Sequence, residues 1–471
     1  MSHHPTSTAK LHYLQLFSIL FGIALWFTPA PSGLETQAWH LFAIFITAIL
    51  AVIINAMPIF TSSIIASAVT VLTGTLTAKE AYSGFSQGFI LLIIVAFLIA
   101  RGVIKSGLGK RIAFLIIRKF GKSSLGLSYS VIAADIFISP AFPSNTARSG
   151  VLFPIVNALA TDSGSKVADG TRKKLGAFLM MSSMAGITIS SSLWLTAMAA
   201  NPAGAKMAQE FGVNISFGSW ALAACVPVAV LFFLIPLILM KIFPPEIKET
   251  PEAPAIAQKA LDAMGPVHKN EWIMAGTFVG MVFLWIMSGS WGLDKTAVAF
   301  LGLGVLMLTN IFTLDDLKGQ GNALGTLVWF SILFAMSVYL NKFGFMGWVG
   351  HHISNAVVGL SWMSVYVTLI VSYVLIHYFF VSQTAQMLAL FSVFLGVAIN
   401  AGVPAEMMAL MLLFATNFNA MITPQGSSAN VIYSASGYIE AGEIYKVGGI
   451  ITLLNTIVFL TVGTAWMMLI L

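Results

Sequence analysis

Apolar runs of about 20 residues recur along almost the whole chain, and they constrain its fold more than any other feature. A run of this length carries few charges and is long enough to cross the hydrocarbon core of a bilayer as a helix. Hydrophobic residues make up 58% of the 471 positions and charged residues only 8%. Because lipid offers no hydrogen-bond partner to the backbone, spanning segments of this kind are helices. The sequence therefore predicts an all-α polytopic membrane protein.

We predict about eleven transmembrane helices and two further apolar stretches that re-enter the membrane as helical hairpins. The hairpins lie near residues 123–160 and 361–403, and each is interrupted by a polar tripeptide. Broken, polar backbone at membrane depth persists only where it is buried in protein or lines a cavity. The predicted spans begin near Leu14, His40, Ile59, Gln87, Lys174, Phe217, Glu271, Ala297, Leu327, Glu406 and Ile450.

The distribution of basic residues predicts a cytoplasmic N-terminus and a C-terminus outside. In this orientation the cytoplasmic side holds all of the 23 Lys and Arg residues except five, as the positive-inside rule requires. This asymmetry, and not nucleic-acid binding, accounts for the net charge of +6. We expect a bacterial plasma (inner) membrane protein whose first apolar run is a span and not a removed signal peptide. The five exceptions are Lys79, Lys206, Lys295, Lys342 and Arg148.

The chain divides into two similar halves, residues 1–242 and 271–471, joined by a cytoplasmic linker at 243–270 that is rich in Pro, Glu, Lys and Ala. An odd number of predicted spans separates equivalent segments, so the second half is expected to be inverted in the membrane. Inverted repeats of this kind are typical of secondary transporters.

Each half carries a Lys-x-Gly turn that precedes its hairpin by a similar distance. Lys105 lies 39 positions before Ser144, and Lys342 lies 40 positions before Ser382. After the first turn, residues 110–121 predict an amphipathic helix on the cytoplasmic surface with Arg111 on its polar face. A basic flank that only ends the preceding span is the alternative.

The polar tips of the two hairpins predict a site for an anion. The first tip is Ser144, Asn145 and Thr146; the second is Ser382, Gln383 and Thr384. These side chains offer neutral donors, and a helix that begins just after them aims N–H groups and about half a positive charge at the same point. Two such tips meeting near the midplane would hold a molecule with a carboxylate at each end.

Further candidates lie in the broken spans that follow each hairpin, and just before the second tip. Proline and glycine free helix carbonyls there, which can bind a cation or close the pocket; packing kinks are the alternative. A histidine near the second tip adds either a titratable charge or a packing group. The candidate binding residues are Thr423, Pro424 and Gly426, and the secondary ones are Ser191, Ser192, Thr196, Asn201, His377 and Asn430.

Arg148 lies just after the first tip. A charged side chain inside a membrane has a high free energy unless it is paired, reaches the lipid headgroups or serves a function. The guanidinium of Arg148 can clamp a carboxylate, and together with two helix ends it supplies about two positive charges, which balance a dicarboxylate. An empty site would then remain positive, which favours obligatory exchange. Two alternatives are snorkelling to lipid headgroups and pairing with Asp135, which otherwise would carry a proton.

At these residues the chain resembles the divalent anion/sodium symporter family. The resemblance implies that the two tips hold substrate carboxylates. It also implies a homodimer in which each protomer has a scaffold domain and a transport domain that moves as an elevator. The motifs that carry it are Ser144-Asn145-Thr146, Ser382-Gln383-Thr384 and Thr423-Pro424-Gln425-Gly426.

Residues 145–150 and 195–202 resemble one branch of this family, which comprises plastid 2-oxoglutarate/malate translocators and bacterial citrate/succinate and tartrate/succinate exchangers. Sodium-coupled members lack the arginine and have a Thr-Pro-x-Gly turn in both halves, whereas here only the second half has it. Gln383 also replaces the usual asparagine. These departures argue against sodium binding, at least at the first tip.

We therefore expect a secondary transporter, not an enzyme, that exchanges C4 and C5 dicarboxylates such as 2-oxoglutarate, malate, succinate and fumarate. A sodium-coupled dicarboxylate or tricarboxylate symporter is the alternative, with sodium at Ser144, Asn145, Gln383 and Thr423. An anion channel or a haem-bearing membrane subunit is more remote, since the histidines form no paired ligand spacing. The expected partners are the dicarboxylate, membrane lipids and a second copy, with no cofactor, no resident metal and no nucleic acid.

Overall fold

The computed structural model describes residues 8–356 and 359–471, and regular structure in this part of the chain is helical. The one β contact among these residues is an isolated bridge between Ser123 and Glu249. The all-α prediction is therefore confirmed. The helices of the first half of the chain are α1 (Thr8–Phe27), α2 (Thr36–Ile53), α3 (Ile59–Leu72), α4 (Ala78–Ala81), α5 (Gly88–Ser106), α6 (Leu108–Phe120), α7 (Ser124–Ile138), α8 (Asn145–Asp162), α9 (Gly176–Leu193), α10 (Ala200–Gln209) and α11 (Phe217–Ile242).

The described part of the second half contains thirteen further helices, α12 to α24. Among the short 3-10 turns of the chain, Ser139–Ala141 follows α7, His377–Phe379 follows α18 and Asn419–Met421 follows α20. Two π-helical turns interrupt the last span, which consists of α22 to α24. The helices are α12 (Ala253–Met264), α13 (Lys269–Trp291), α14 (Lys295–Leu308), α15 (Leu314–Leu317), α16 (Gly321–Lys342), α17 (Phe345–Ala356), α18 (Trp362–Ile376), α19 (Gln383–Asn400), α20 (Ala405–Phe418), α21 (Ser428–Ala435), α22 (Ala441–Glu443), α23 (Gly449–Val458) and α24 (Thr464–Ile470).

Eleven helices of the described chain are long and apolar enough to cross a membrane, and eight of them coincide with predicted spans. The other three are the hairpin segments at Ser124–Ala141, Trp362–Phe379 and Gln383–Asn400. By contrast, α3, α14 and α20 have 14 residues each. At 1.5 Å per residue, such a helix covers about 21 Å of a hydrocarbon core that is roughly 30 Å thick. The segments predicted as spans near Ile59, Ala297 and Glu406 are thus shorter apolar helices, and the last of them continues through a 3-10 turn to Met421.

The two halves of the chain have the same local conformations at equivalent positions. Gly107, between α5 and α6, and Gly344, between α16 and α17, both have a φ of 81°, which favours glycine. Ser144 and Ser382 then precede α8 and α19 with φ at −146° and ψ at 122° and 120°. The helix order around these four residues is also the same, which gives the sequence repeat a structural counterpart.

Contacts group the described residues into two compact units, each assembled from separate stretches of the chain. In the first unit, α2 packs against α1 and α3, and α19 packs against α17 and α18. In the second unit, α9 packs against α7, α8 and α11, and all of its side chains except Leu193 are buried. The first unit comprises Met1–Ile94, Ala203–Asn214 and Gln320–Leu412; the second comprises Val95–Pro202, Ile215–Gly319 and Leu413–Leu471.

The segment predicted as a linker, 243–270, is folded within the second unit. Its helix α12 packs against α6. The main chain before α12 bonds to two loops: Thr250 N donates to Lys122 O at 2.9 Å, and Ile247 N donates to Lys174 O at 3.0 Å. The segment therefore ties the start of α7 to the start of α9.

A helix is confirmed where residues 110–121 predicted one, and Arg111 on its predicted polar face meets protein and not solvent. Arg111 is buried and pairs through Nε and Nη2 with the carboxylate of Glu271 at the start of α13. Its Nη1 also donates to Gly265 O at 3.1 Å. Phe120, predicted on the apolar face, is 54% exposed.

Candidate functional site

The first polar tip is a break between two helices of the second unit. After α7 and its 3-10 turn, Pro143 and extended backbone at Ser144 end the helical path. The Ser144 Oγ accepts a hydrogen bond from Ala147 N at 3.3 Å, so it serves as the N-cap of α8. The first N–H groups of a helix have no intrahelical partner, and they point away from the helix at such a tip. The local sequence thus builds a donor-rich helix start inside a buried hairpin.

Arg148 lies one turn into α8 and is fully buried. Its Nη1 lies 3.4 Å from Asp135 Oδ2 on α7 and donates to Ser190 Oγ at 2.8 Å. Ser190 in turn donates to the same carboxylate oxygen of Asp135. The pairing of Asp135 with Arg148, one of the alternatives in the sequence, is confirmed, and snorkelling to the membrane surface is excluded by the burial.

The other arm of the guanidinium holds the tip itself. Arg148 Nη2 donates to Asn145 Oδ1 at 2.6 Å and to Ser191 Oγ at 2.5 Å, and Ser191 Oγ lies 2.8 Å from the same Asn145 oxygen. Two donors therefore converge on Oδ1 and fix the orientation of the amide. The side-chain oxygen of Asn145 is thus engaged with protein donors.

This network lowers the net positive charge that the first tip can offer to a ligand. A guanidinium paired with a buried carboxylate contributes little net charge, so the positive charge available to a ligand comes from the helix ends. Arg148 acts on Asn145, and its own hydrogen bonds go to protein groups. The expectation that Arg148 and two helix ends together supply about two positive charges does not fit this geometry.

A second helix start meets the first tip within the same unit. The Oγ1 of Thr146, in the first turn of α8, lies 2.5 Å from the Oγ of Ser428, the first residue of α21. The N-cap of α21 is Ser427, whose Oγ accepts from Ala429 N. On the other side of the tip, Ala199 N donates to Pro143 O at 3.0 Å. Sequence reasoning missed Ser428, which is 282 positions from Thr146.

Two secondary candidates, Asn201 and Asn430, make equivalent hydrogen bonds at the helix breaks of the second unit. Asn201 Nδ2 donates to the carbonyls of Ser191 and Trp194, and Asn430 Nδ2 donates to those of Ala420 and Thr423. Each amide thereby satisfies carbonyls that the end of a helix leaves without partners. Asn201 Oδ1 also accepts from the amide of another asparagine, Asn417, at 2.8 Å. These contacts favour a structural role for both amides.

The other candidates near this break are also engaged with the main chain. Thr196 Oγ1 donates to Pro140 O, and Ser192 Oγ donates to Thr188 O, both at 2.8 Å. Thr423 is fully buried, whereas Pro424 lies partly exposed after it. Gly426 N donates to Thr423 O at 3.1 Å, which forms the predicted turn.

The second tip belongs to the first unit. Ser382 Oγ accepts from Ala385 N at 3.2 Å and caps α19, as Ser144 caps α8. Gln383 and Thr384 are 4% and 9% exposed, and His377 is fully buried in the preceding 3-10 turn. A cavity of about 530 Å³ within this unit is lined by Ser382 together with Gln15, Asn55, Trp329 and apolar side chains.

The two tips differ at the position four residues after the serine. Arg148 occupies it in the first tip and Gln386 in the second. Gln386 is buried, and its Nε2 donates to the main-chain oxygen of Tyr373 on α18 at 2.7 Å. Both side chains therefore reach back to the first helix of their own hairpin, but only the arginine needs a carboxylate there.

Comparisons with known proteins identify the family of the chain. The family model described as "Sodium:sulfate symporter transmembrane region" matches residues 9–471. YflS of Bacillus subtilis (strain 168) is 44% identical over 96% of this chain and 95% of its own length. Dicarboxylate transporter 1, chloroplastic, of Spinacia oleracea is 41% identical over 96% of this chain and 80% of its own.

A solved structure shares the fold at much lower identity. It is that of the YdaH transporter of Alcanivorax borkumensis, which matches with a TM-score of 0.60 at 12% identity and covers 98% of both chains. With the match to the family model over nearly all of the chain, these findings show that the chain is an integral membrane transporter, not an enzyme, and belongs to the sodium:sulfate symporter family, also called the divalent anion/sodium symporter family.

Proposed function

We propose that this protein exchanges C4 and C5 dicarboxylates, such as succinate, malate, fumarate and 2-oxoglutarate, without sodium. The substrate class follows from the name of the spinach relative and from two helix starts whose side chains are neutral donors. Each tip would bind one carboxylate through main-chain N–H groups and hydroxyls. Ser144, Asn145 and Thr146 form the first group, and Ser382, Gln383 and Thr384 the second.

The observation that carries sodium independence is the contact between Arg148 Nη2 and Asn145 Oδ1 at 2.6 Å. The amide oxygen of Asn145 is the ligand that a sodium ion would use at this tip. The Arg148 guanidinium and the Ser191 hydroxyl already donate to this oxygen, so both of its lone pairs are engaged with protein donors and not with a cation. Arg148 thus occupies, with a fixed hydrogen-bond donor, the oxygen that a symporter would offer to a mobile cation.

Obligatory exchange would result from the high free energy of tips that hold no anion. Donor groups at a helix start that lose their anion keep their partial positive charge, and they would have to cross the hydrocarbon without a partner. Movement through the membrane is therefore expected to be easier with a dicarboxylate bound. Because no sodium leaves with the substrate, the return step needs a second dicarboxylate.

We further propose the assembly and topology that the family resemblance implies. The protein would be a homodimer whose scaffold and transport domains move by an elevator mechanism, with two re-entrant hairpins. Its N-terminus would be cytoplasmic and its C-terminus outside, in a bacterial plasma membrane, as the distribution of basic residues favours.

Uptake of labelled succinate into proteoliposomes preloaded with unlabelled succinate tests the substrate class and the coupling ion together. We expect a saturable uptake whose rate is the same in sodium and in choline buffers. A rate that collapses in choline would contradict sodium independence and favour the symporter. Uptake that grows linearly with concentration would indicate a channel.

A further inference from the structure

We infer that Ser428 is a positioning residue of the first carboxylate site, in which it orients the hydroxyl of Thr146 toward the bound anion. This inference rests on the proposed function and adds to the site a residue that neither the sequence motifs nor the relatives assign. It starts from the 2.5 Å contact between the two hydroxyl oxygens within the second unit.

The contact brings the first turns of α8 and α21 to the same point. Each helix start carries about half a positive charge, so two starts held this close repel each other in the absence of an anion. The separate N-caps, Ser144 and Ser427, satisfy one N–H of each helix but add no formal charge. An anion placed at this point would relieve the repulsion.

The hydroxyl pair explains how the anion would be held. A hydroxyl has one proton to donate and two lone pairs that accept. If Ser428 donates to Thr146 Oγ1, the proton of Thr146 remains available for a carboxylate oxygen. Hydrogen bonds arranged head to tail polarise one another, so the second hydroxyl strengthens the bond that the first makes.

The exposure of the two residues fits this arrangement. Ser428 is exposed and Thr146 is partly exposed, whereas the guanidinium network behind the tip is fully buried. Ser428 can therefore be changed without creating a buried cavity. Arg148 and Ser428 would act on different residues of the tip, Asn145 and Thr146.

The test is the kinetics of succinate exchange in proteoliposomes. Loss of one neutral hydrogen bond costs about 1 kcal/mol, so Ser428→Ala should raise the half-saturating succinate concentration about three- to tenfold with an unchanged maximal rate. Ser428→Thr keeps the hydroxyl and should stay within about twofold of the original value. Ser434→Ala, which removes an exposed hydroxyl that bonds within α21, is the matched control and should have no effect.

A double variant separates positioning from direct binding. If Ser428 acts through Thr146, adding Ser428→Ala to Thr146→Ala should change nothing further. Additive losses would overturn the inference and indicate that Ser428 contacts the substrate itself. A half-saturating succinate concentration that is unchanged in Ser428→Ala would also overturn the inference and leave the proposed function intact. Failure of the unmodified protein to exchange succinate would overturn both.

Discussion

At the scale of single residues, the first tip depends on a buried ion pair. Asp135 and Arg148 are both almost fully buried, and they contact each other and Ser190. Removal of one member of such a pair leaves an uncompensated charge in a low-dielectric interior, which is much more costly than removal of both. The pair therefore holds the tip together as well as orienting Asn145.

We predict that Asp135→Asn destabilises the protein by about 3–5 kcal/mol, the range for an unpaired buried charge. The double variant Asp135→Asn with Arg148→Gln should recover most of this loss, because glutamine already occupies the equivalent position at Gln386. Thermal unfolding in detergent measures both. Equal melting temperatures for the single and the double variant would show that the ion pair contributes no coupling.

The sequence predicted part of this site. It identified the tip residues because a serine followed by further polar groups is costly inside an apolar segment unless protein or a ligand satisfies them, and it offered Asp135 as a partner for Arg148. It did not identify Ser428, because one serine at the start of a short helix carries no signal of a partner 282 positions away. Nor did it show that Asn201 and Asn430 support helix breaks.

At the scale of elements, the segment 243–270 does more than link two halves, because it packs against other helices and loops of the second unit. Arg111 on α6 reaches three chemical groups at once: the carboxylate of Glu271 and the carbonyls of Gly265 and Pro266. These contacts join α6, the end of α12 and the start of α13. The sequence suggested a linker because proline and charged residues dominate its composition, and composition does not show main-chain bonds to other loops.

Arg111→Gln should lower the stability of the protein by about 3 kcal/mol, since it leaves the buried carboxylate of Glu271 without its cation. The neighbouring Lys110 is exposed, so Lys110→Gln provides a control with the same change of charge. Comparison of the two melting temperatures isolates the contribution of the ion pair. A drop of similar size in both variants would mean that net charge matters and that the ion pair does not.

At the scale of the whole molecule, composition and long apolar runs predicted an all-helical membrane protein, which is confirmed, and spacing predicted a repeat. The division into two units could not be obtained in this way. Three of its five boundaries fall within helices: Ile94 and Val95 lie in α5, Pro202 and Ala203 in α10, and Leu412 and Leu413 in α20. Hydrophobic periodicity describes one helix at a time, whereas contacts between distant helices define a unit.

The central claim concerns the whole transport cycle: dicarboxylate leaves only when another dicarboxylate returns. Its most direct test is the initial rate of labelled succinate uptake into vesicles that are preloaded with succinate, compared with empty vesicles, both in sodium-free buffer. We predict rapid uptake in the preloaded vesicles and a rate at least tenfold lower in the empty ones, a difference of about 1.4 kcal/mol in the barrier to return. Equal rates in the two sets of vesicles would contradict obligatory exchange.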